Sequence, residues 1–116
     1  MQRQILHGKI HLARVTDARI DYEGSITIDV DLLKAADILP HEKVLIANLT
    51  NGSRIESYAI EGKAGKGDVC LNGGAAMYGK KGDTVIIMSF AVLEDKEIAK
   101  HTPRVVYVNE QNKIIR

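Results

Sequence analysis

The sequence has no tryptophan, one phenylalanine, one cysteine and two prolines in 116 residues. A single thiol, Cys70, excludes an internal disulfide and any metal site built from several cysteines. No apolar run approaches the roughly 18 residues that a membrane helix requires, so no membrane-spanning role is expected. The opening stretch, Met1 to Gly8, has neither a long apolar segment nor a small-residue cleavage site, and a cytoplasmic protein is the expectation. An excess of one charge is also missing. Sixteen Lys and Arg stand against fifteen Asp and Glu, leaving +1. That balance argues against bulk capture of nucleic acid or of an anionic membrane. There is no phosphate loop ending in Gly-Lys-Ser/Thr, no nucleophile elbow and no His pair at helical metal spacing.

What is present points to strands. Ile and Val number 23, and a small core rich in β-branched residues suits pleated, half-buried strands. The length is that of one domain, expected to span residues 1–116. A chain of this size has little volume for a deep private pocket, which favours a site between subunits. Residues 4–15 read as a strand, with Leu6, Ile10 and Leu12 on one face and His7, Lys9, His11 and Ala13 on the other. His7 and His11 would lie roughly 13 Å apart, too far for one metal. Two short strands are expected to meet at Gly24-Ser25, followed by a helix over Asp29–Asp37 with Leu32, Leu33 and Ala36 as its apolar stripe. Asn51-Gly52 signals a hairpin between strands at Val44–Thr50 and Arg54–Ile60. Seven of the ten glycines fall between Gly62 and Gly82, marking turns around strands at Val69–Leu71 and Thr84–Leu93. A short helix at Asp95–His101 and strands at Arg104–Val108 and Lys113–Ile115 complete the reading. Turn-then-Val-aliphatic-aliphatic occurs at His41–Ile46 and again at Gly82–Ile87, a faint repeat that suits two halves of a small barrel.

Three constellations carry chemistry. Glycine lacks a Cβ, so Gly24 can hold its peptide bond in a conformation other residues resist. The Ser25 hydroxyl can then attack the preceding carbonyl, shifting the acyl group from nitrogen to oxygen. Elimination from the ester leaves dehydroalanine, and hydrolysis leaves a pyruvoyl group at the new N-terminus. Taken alone, Gly-Ser is also an ordinary turn dipeptide. Arg54 and Tyr58 share a strand face. They can form a carboxylate clamp beside a proton-transferring phenol, or be surface decoration. Ser57 points the other way in a regular strand and needs a bulge or a barrel edge to join them. Asn72-Gly73-Gly74 can aim backbone N–H groups at an anion, or simply turn the chain.

The order and spacing of these residues resemble one family over nearly the whole chain. Gly8-Lys9, His11, Val15-Thr16, Tyr22-Glu23-Gly24-Ser25, Thr50-Asn51-Gly52, Arg54, Tyr58-Ala59-Ile60, Asn72-Gly73, Ala75-Ala76 and Gly82-Asp83 all fit. The chain resembles the aspartate 1-decarboxylases, pyruvoyl-dependent carbon–carbon lyases that make β-alanine for pantothenate biosynthesis. The resemblance implies a mainly β fold, a small double-psi β-barrel with short helices. It implies an inactive proenzyme that cuts itself between Gly24 and Ser25 into chains 1–24 and 25–116. It further implies a homotetramer with sites between neighbouring subunits, with a maturation factor in some members. The substrate L-aspartate would form a Schiff base with the pyruvoyl from Ser25. Tyr58 would be the proton donor and Ser57 a substrate-binding hydroxyl, with the backbone of Gly73, Gly74 and Ala75 also on the substrate. Arg54 and Lys9 would be carboxylate partners, and His11, Tyr22 and Asn72 would lie in or near the site. No metal is implied.

Two positions depart from the family pattern: Ser57 stands where Thr is usual, and Gly74 where Ala is usual. Ser57 keeps the hydroxyl but loses the stiffness of a β-branch, and Gly74 loosens the backbone that would present N–H groups. The alternative reading is a non-catalytic β-barrel binding module of the DNA-binding regulator kind, motivated by Lys9, His11 and Lys80-Lys81. The balanced charge weighs against it.

Overall fold

The computed structural model describes residues 1–116. Eight strands form one sheet: β1 (Gln2–Arg14), β2 (Asp17–Arg19), β3 (Ser25–Asp29), β4 (Lys43–Asn48), β5 (Arg54–Gly62), β6 (Val69–Asn72), β7 (Thr84–Glu94) and β8 (Arg104–Tyr107). Helix α1 (Val30–Ala36) follows β3, a 3-10 turn (Gly73–Met77) follows β6, and α2 (Asp95–Ile98) follows β7. The expected mainly β domain with short helices is the one that forms. No helix is long and apolar enough to cross a membrane.

The strand order is β2-β6-β3-β5-β4-β7-β1-β8. Only Val15 and Thr16 separate β1 from β2, yet the two strands lie near opposite ends of that order. So short a link can join them only if the sheet curls back on itself. Backbone bonds from Val15 N–H to Asp83 O (2.9 Å) and from Thr16 N–H to Val69 O (2.8 Å) stitch the seam. Inside are Ile10, Ile26, Ile28, Leu71, Val85 and Ile87, all essentially inaccessible. The faint repeat resolves into two neighbours. Val44 and Ile46 on β4 and Val85 and Ile87 on antiparallel β7 all point into this core.

Helix α1 forms where its pattern predicts. The Asp29 carboxylate accepts from Asp31 N–H at 2.8 Å, closing the N-terminus, and Leu32, Leu33 and Ala36 are buried. The same carboxylate accepts from Gly65 N–H and Gly67 N–H at 3.2 and 2.8 Å. One buried side chain thus ties the helix start to the loop before β6.

Three local expectations are corrected. Leu12 does not share the core face with Ile10; Ala13 does. Ile10 pairs with Ile87 and Ala13 with Val85, so β1 carries one extra residue there. Leu12 takes a φ of 63° at this bulge, and side-chain parity inverts beyond it. Ile20 and Tyr22 alternate like strand residues but belong to a turn, with Tyr22 N–H donating to Arg19 O. The first strand of that pair is β2, earlier in the chain. Lys113–Ile115 makes a single bridge, Val108 to Ile114, rather than a strand.

Candidate active site

Gly24-Ser25 lies at the start of β3, between β5 and β6. β3 pairs with β6 antiparallel, Ser25 opposite Asn72 and Thr27 opposite Cys70. Alternate residues share a face, so Ile26, Ile28, Val69 and Leu71 enter the core. Ser25, Thr27, Cys70 and Asn72 occupy the other face as two polar rungs. Asn72 Nδ2 donates to Ser25 Oγ at 3.0 Å and to Thr27 Oγ1 at 2.9 Å. The Cys70 thiol donates to Asn72 Oδ1 at 3.2 Å. Burial, helped by the Asp17 carboxylate, pushes the Cys70 pKa up, so the group stays a thiol and keeps its proton for that bond.

On its other side, β3 pairs with β5 only from Ile26 opposite Ala59 onward. The first half of β5, Arg54 to Tyr58, pairs with β4 alone. A gap therefore opens beside Ser57 and Tyr58, and Gly24, Gly74 and Ala75 line a cavity of about 380 Å³ with them. This is the barrel edge that lets Ser57 and Tyr58, on opposite faces of one strand, reach the same space. A second cavity, about 790 Å³, lies on the Ser25 side and is lined by Tyr22, Ser25, Thr27, Tyr58 and Asn72 among others. Tyr58 lines both cavities, and its ring lies 6.4 Å from that of His41.

Gly73 sets the spacing of this corner. It has a φ of +59°, and a Cβ there would lie 2.5 Å from Tyr22 O and 2.6 Å from Gly24 N. Only glycine lets the 3-10 turn press this closely against the backbone carrying Gly24. Gly74 meets nothing within 4 Å of an added Cβ.

The cations of the larger cavity are already occupied. Arg19 donates to Asp17 at 2.7 Å and to the Tyr22 hydroxyl at 3.0 Å, its guanidinium 5.0 Å from the Tyr22 ring centre. The Arg19 bond holds the Asp17 pKa below the ordinary carboxylate value, with the Ala18 N–H adding to it. Lys66 lies 3.6 Å from Asp68.

Gly24, Ser25, Tyr22, Ser57, Tyr58, Asn72, Gly73, Gly74 and Ala75 thus converge on one corner. Lys9, His11 and Arg54 do not line either cavity within this one chain. Lys9 and His11 sit on β1, between β7 and β8. His11 packs edge-on to Tyr107 at 5.4 Å. Burial, then the charges of Lys9 and Arg116, lowers its pKa, so the ring is neutral at neutral pH. Arg54 is exposed at the start of β5. Sequence reasoning missed Thr27, Cys70 and His41. Period-2 spacing in Ser25-Ile26-Thr27 and Cys70-Leu71-Asn72 was the available signal, but it could not say that the two segments pair.

The sequence model of the family described as aspartate decarboxylase matches residues 1–115. Aspartate 1-decarboxylase of Thermoanaerobacter pseudethanolicus is 50% identical over 113 residues, covering 97% of each chain. That of Neisseria meningitidis serogroup C is 58% identical over 114 residues, covering 98% of this chain and 90% of the relative. That of Myxococcus xanthus is 51% identical over 115 residues, covering 99% and 88%.

Proposed function

The chain belongs to the aspartate decarboxylase family, and from that premise we propose that it removes the α-carboxylate of L-aspartate to give β-alanine and CO2, using a pyruvoyl group made from its own Ser25. Family membership sets aside the reading as a non-catalytic binding module. The observation that carries the proposal is the corner itself. A buried serine hydroxyl accepts a hydrogen bond from Asn72 at 3.0 Å, and the glycine on the other side of its peptide bond opens onto a cavity with Ser57, Tyr58, Gly74 and Ala75.

Self-cleavage begins at these residues. Ser25 Oγ bonds to the Gly24 carbonyl carbon, the Gly24–Ser25 C–N bond breaks, and the hydroxyl proton ends on the freed Ser25 amine. Removal of the Ser25 Cα proton then breaks the Cβ–Oγ bond, and Gly24 leaves as a carboxylate. Water adds to the dehydroalanine after its tautomerisation, ammonia departs, and a ketone remains. An N–H donated to Oγ favours the attack, because it stabilises the charge developing on the oxygen as its proton leaves. The same N–H favours the elimination, because Oγ is then the leaving atom.

The pyruvoyl group supplies a carbonyl that takes up the substrate amine and accepts the electron pair released with CO2. The surrounding residues fit such a group: the ketone would lie in the place of Ser25, on the wall of the larger cavity, with Tyr58 reaching both cavities. The remaining roles belong to the chain's own side chains. Tyr58 gives a proton to the carbon that loses the carboxylate. Ser57 and the backbone N–H groups from Gly73 to Ala75 orient the substrate. Arg54 holds the retained carboxylate through its bidentate fork, and Lys9 adds a second charge. A homotetramer with sites between subunits accounts for Lys9, His11 and Arg54 standing clear of both cavities while Arg19 and Lys66 are paired off. Exposed Phe90 and Val92 on β7 supply apolar surface for assembly. A cytoplasmic location and, where cleavage is slow, a maturation factor belong to the same reading.

Intact-mass measurement of the purified protein tests this. Two fragments split between residues 24 and 25, the larger with a carbonyl in place of its amino terminus, are expected. Ser25→Ala should stay one chain and release no β-alanine from aspartate. A Ser25→Ala protein that still decarboxylates aspartate refutes the pyruvoyl assignment.

A further inference from the structure

We propose that Cys70 and Thr27 are positioning residues for the self-cleavage, acting on Ser25 through the Asn72 side-chain amide. The inference rests on the self-cleavage proposed above. Its basis is the saturation of that amide. A carboxamide has two N–H donors and one carbonyl acceptor. Here both donors are used, one on Ser25 Oγ at 3.0 Å and one on Thr27 Oγ1 at 2.9 Å. The acceptor takes the Cys70 thiol proton at 3.2 Å.

The orientation matters because an amide can turn over. With its nitrogen toward Ser25, Asn72 donates to Oγ and stabilises negative charge there. With its oxygen toward Ser25, it would place a partial negative charge beside the atom that must carry charge away when the Cβ–Oγ bond breaks. The two neighbours decide between these states unequally. Thr27 carries a hydroxyl and tolerates either end of the amide. A thiol sulfur is a poorer acceptor than a hydroxyl oxygen, and the other acceptor for its proton, Leu71 O, is farther off at 3.9 Å, so a thiol 3.2 Å from the amide oxygen favours one orientation. Cys70 is 8% exposed on the wall of the larger cavity, and its thiol is the one protein donor placed beside the amide oxygen.

The arrangement follows from pairing rather than chance proximity. Ser25 faces Asn72 and Thr27 faces Cys70 in consecutive same-face positions of β3 and β6. Asn72 therefore sits across from the serine it serves and diagonal to the threonine that takes its second proton. The thiol is two residues before Asn72 on the same strand. Neither Cys70 nor Thr27 touches the scissile bond, so each acts only by aiming the amide.

The test follows cleavage of freshly purified, uncut protein with time, by intact mass, alongside thermal melting. Cys70→Ala removes the donor and should slow cleavage by about threefold to tenfold, the range set by one modest hydrogen bond. Cys70→Ser restores an O–H donor and should cleave near the wild-type rate. Thr27→Val keeps the branched shape, removes the acceptor and should also slow cleavage. In an Asn72→Ala background, Cys70→Ala should have no further effect, because there is no amide left to aim. Three results would each overturn the proposal: Cys70→Ala cleaving at the wild-type rate, Cys70→Ser as slow as Cys70→Ala, or the Cys70 effect persisting in full without Asn72. A melting temperature that falls in step with the cleavage rate across the series would also overturn it, in favour of a purely structural role. A wild-type chain that never cuts at 24/25 instead removes the self-cleavage reading itself.

Discussion

Gly73→Ala and Gly74→Ala change neighbouring residues by the same methyl group and should have opposite outcomes. At Gly73 the new Cβ would lie 2.5 Å from Tyr22 O, 2.6 Å from Gly24 N and 2.8 Å from Gly24 Cα. Ordinary contact begins near 3.4 Å, so the backbone on one side must retreat by most of an ångström, and all three atoms are main chain. The left-handed φ of +59° adds about 1–2 kcal/mol for a residue with a side chain. Together these predict a destabilisation of about 2–4 kcal/mol. Two of the three atoms belong to Gly24, whose carbonyl is the one proposed to be cut. A displacement of that size at a reacting group typically slows a step by about 100-fold. At Gly74 nothing lies within 4 Å and φ is not left-handed. Gly74→Ala should therefore fold, cleave, and gain about 0.4–1 kcal/mol through a stiffer unfolded chain. Thermal melting and timed intact-mass measurement report both effects. A Gly73→Ala protein that cleaves at the wild-type rate would refute the reasoning, as would a Gly74→Ala protein as impaired as Gly73→Ala.

Further predictions concern the scaffold and the proton donor. Burial raises the Asp83 pKa, but the Asn48 side-chain amide at 2.9 Å and the Lys80 N–H and charge outweigh it and hold the carboxyl below its ordinary value. Its contribution is therefore present above the unfolded-state pKa near 4 and is lost as pH falls through the lower folded value. Asp83→Asn should cost on the order of 1 kcal/mol at pH 7, and its melting temperature should converge with that of the wild type as pH drops below about 4. A gap that widens on acidification would contradict this. Asp29→Ala leaves the N–H groups of Asp31, Gly65 and Gly67 without their acceptor, and should cost about 2–4 kcal/mol, read as a melting temperature lower by about 10 °C. Tyr58 is 39% exposed, so Tyr58→Phe should fold and cleave normally while kcat for aspartate falls by about 100-fold or more. Full turnover in that variant would remove Tyr58 from proton donation.

Elements with a dense local signal were legible in advance. The Leu32, Leu33 and Ala36 stripe announces a helix, and Asn51-Gly52 between two alternating runs announces a hairpin. Both formed within a residue or two of the expected bounds. Where the signal was thin, pattern misled. Ile20 and Tyr22 alternate like a strand, but pairing with β6 ends at Arg19 opposite Asn72, and alternation without a partner is only a turn with apolar side chains. The Leu12 parity was lost to a bulge, which shows itself only when two strands are laid in register.

What the sequence determined by itself was the strand-rich class, the first helix and the turns, and the residue types a Gly-Ser chain cut would require. These depend on side-chain chemistry and on spacings of two to four residues, which the chain carries locally. The tertiary structure alone decided that Ser25 stands opposite Asn72 and Thr27 opposite Cys70, that Ser57 and Tyr58 meet at a gap beside β5, and that Lys9, His11 and Arg54 stay outside it. Strand register and sheet closure join residues dozens of positions apart. They are settled by which faces bury their Ile, Val and Leu together, a collective choice that no single segment encodes.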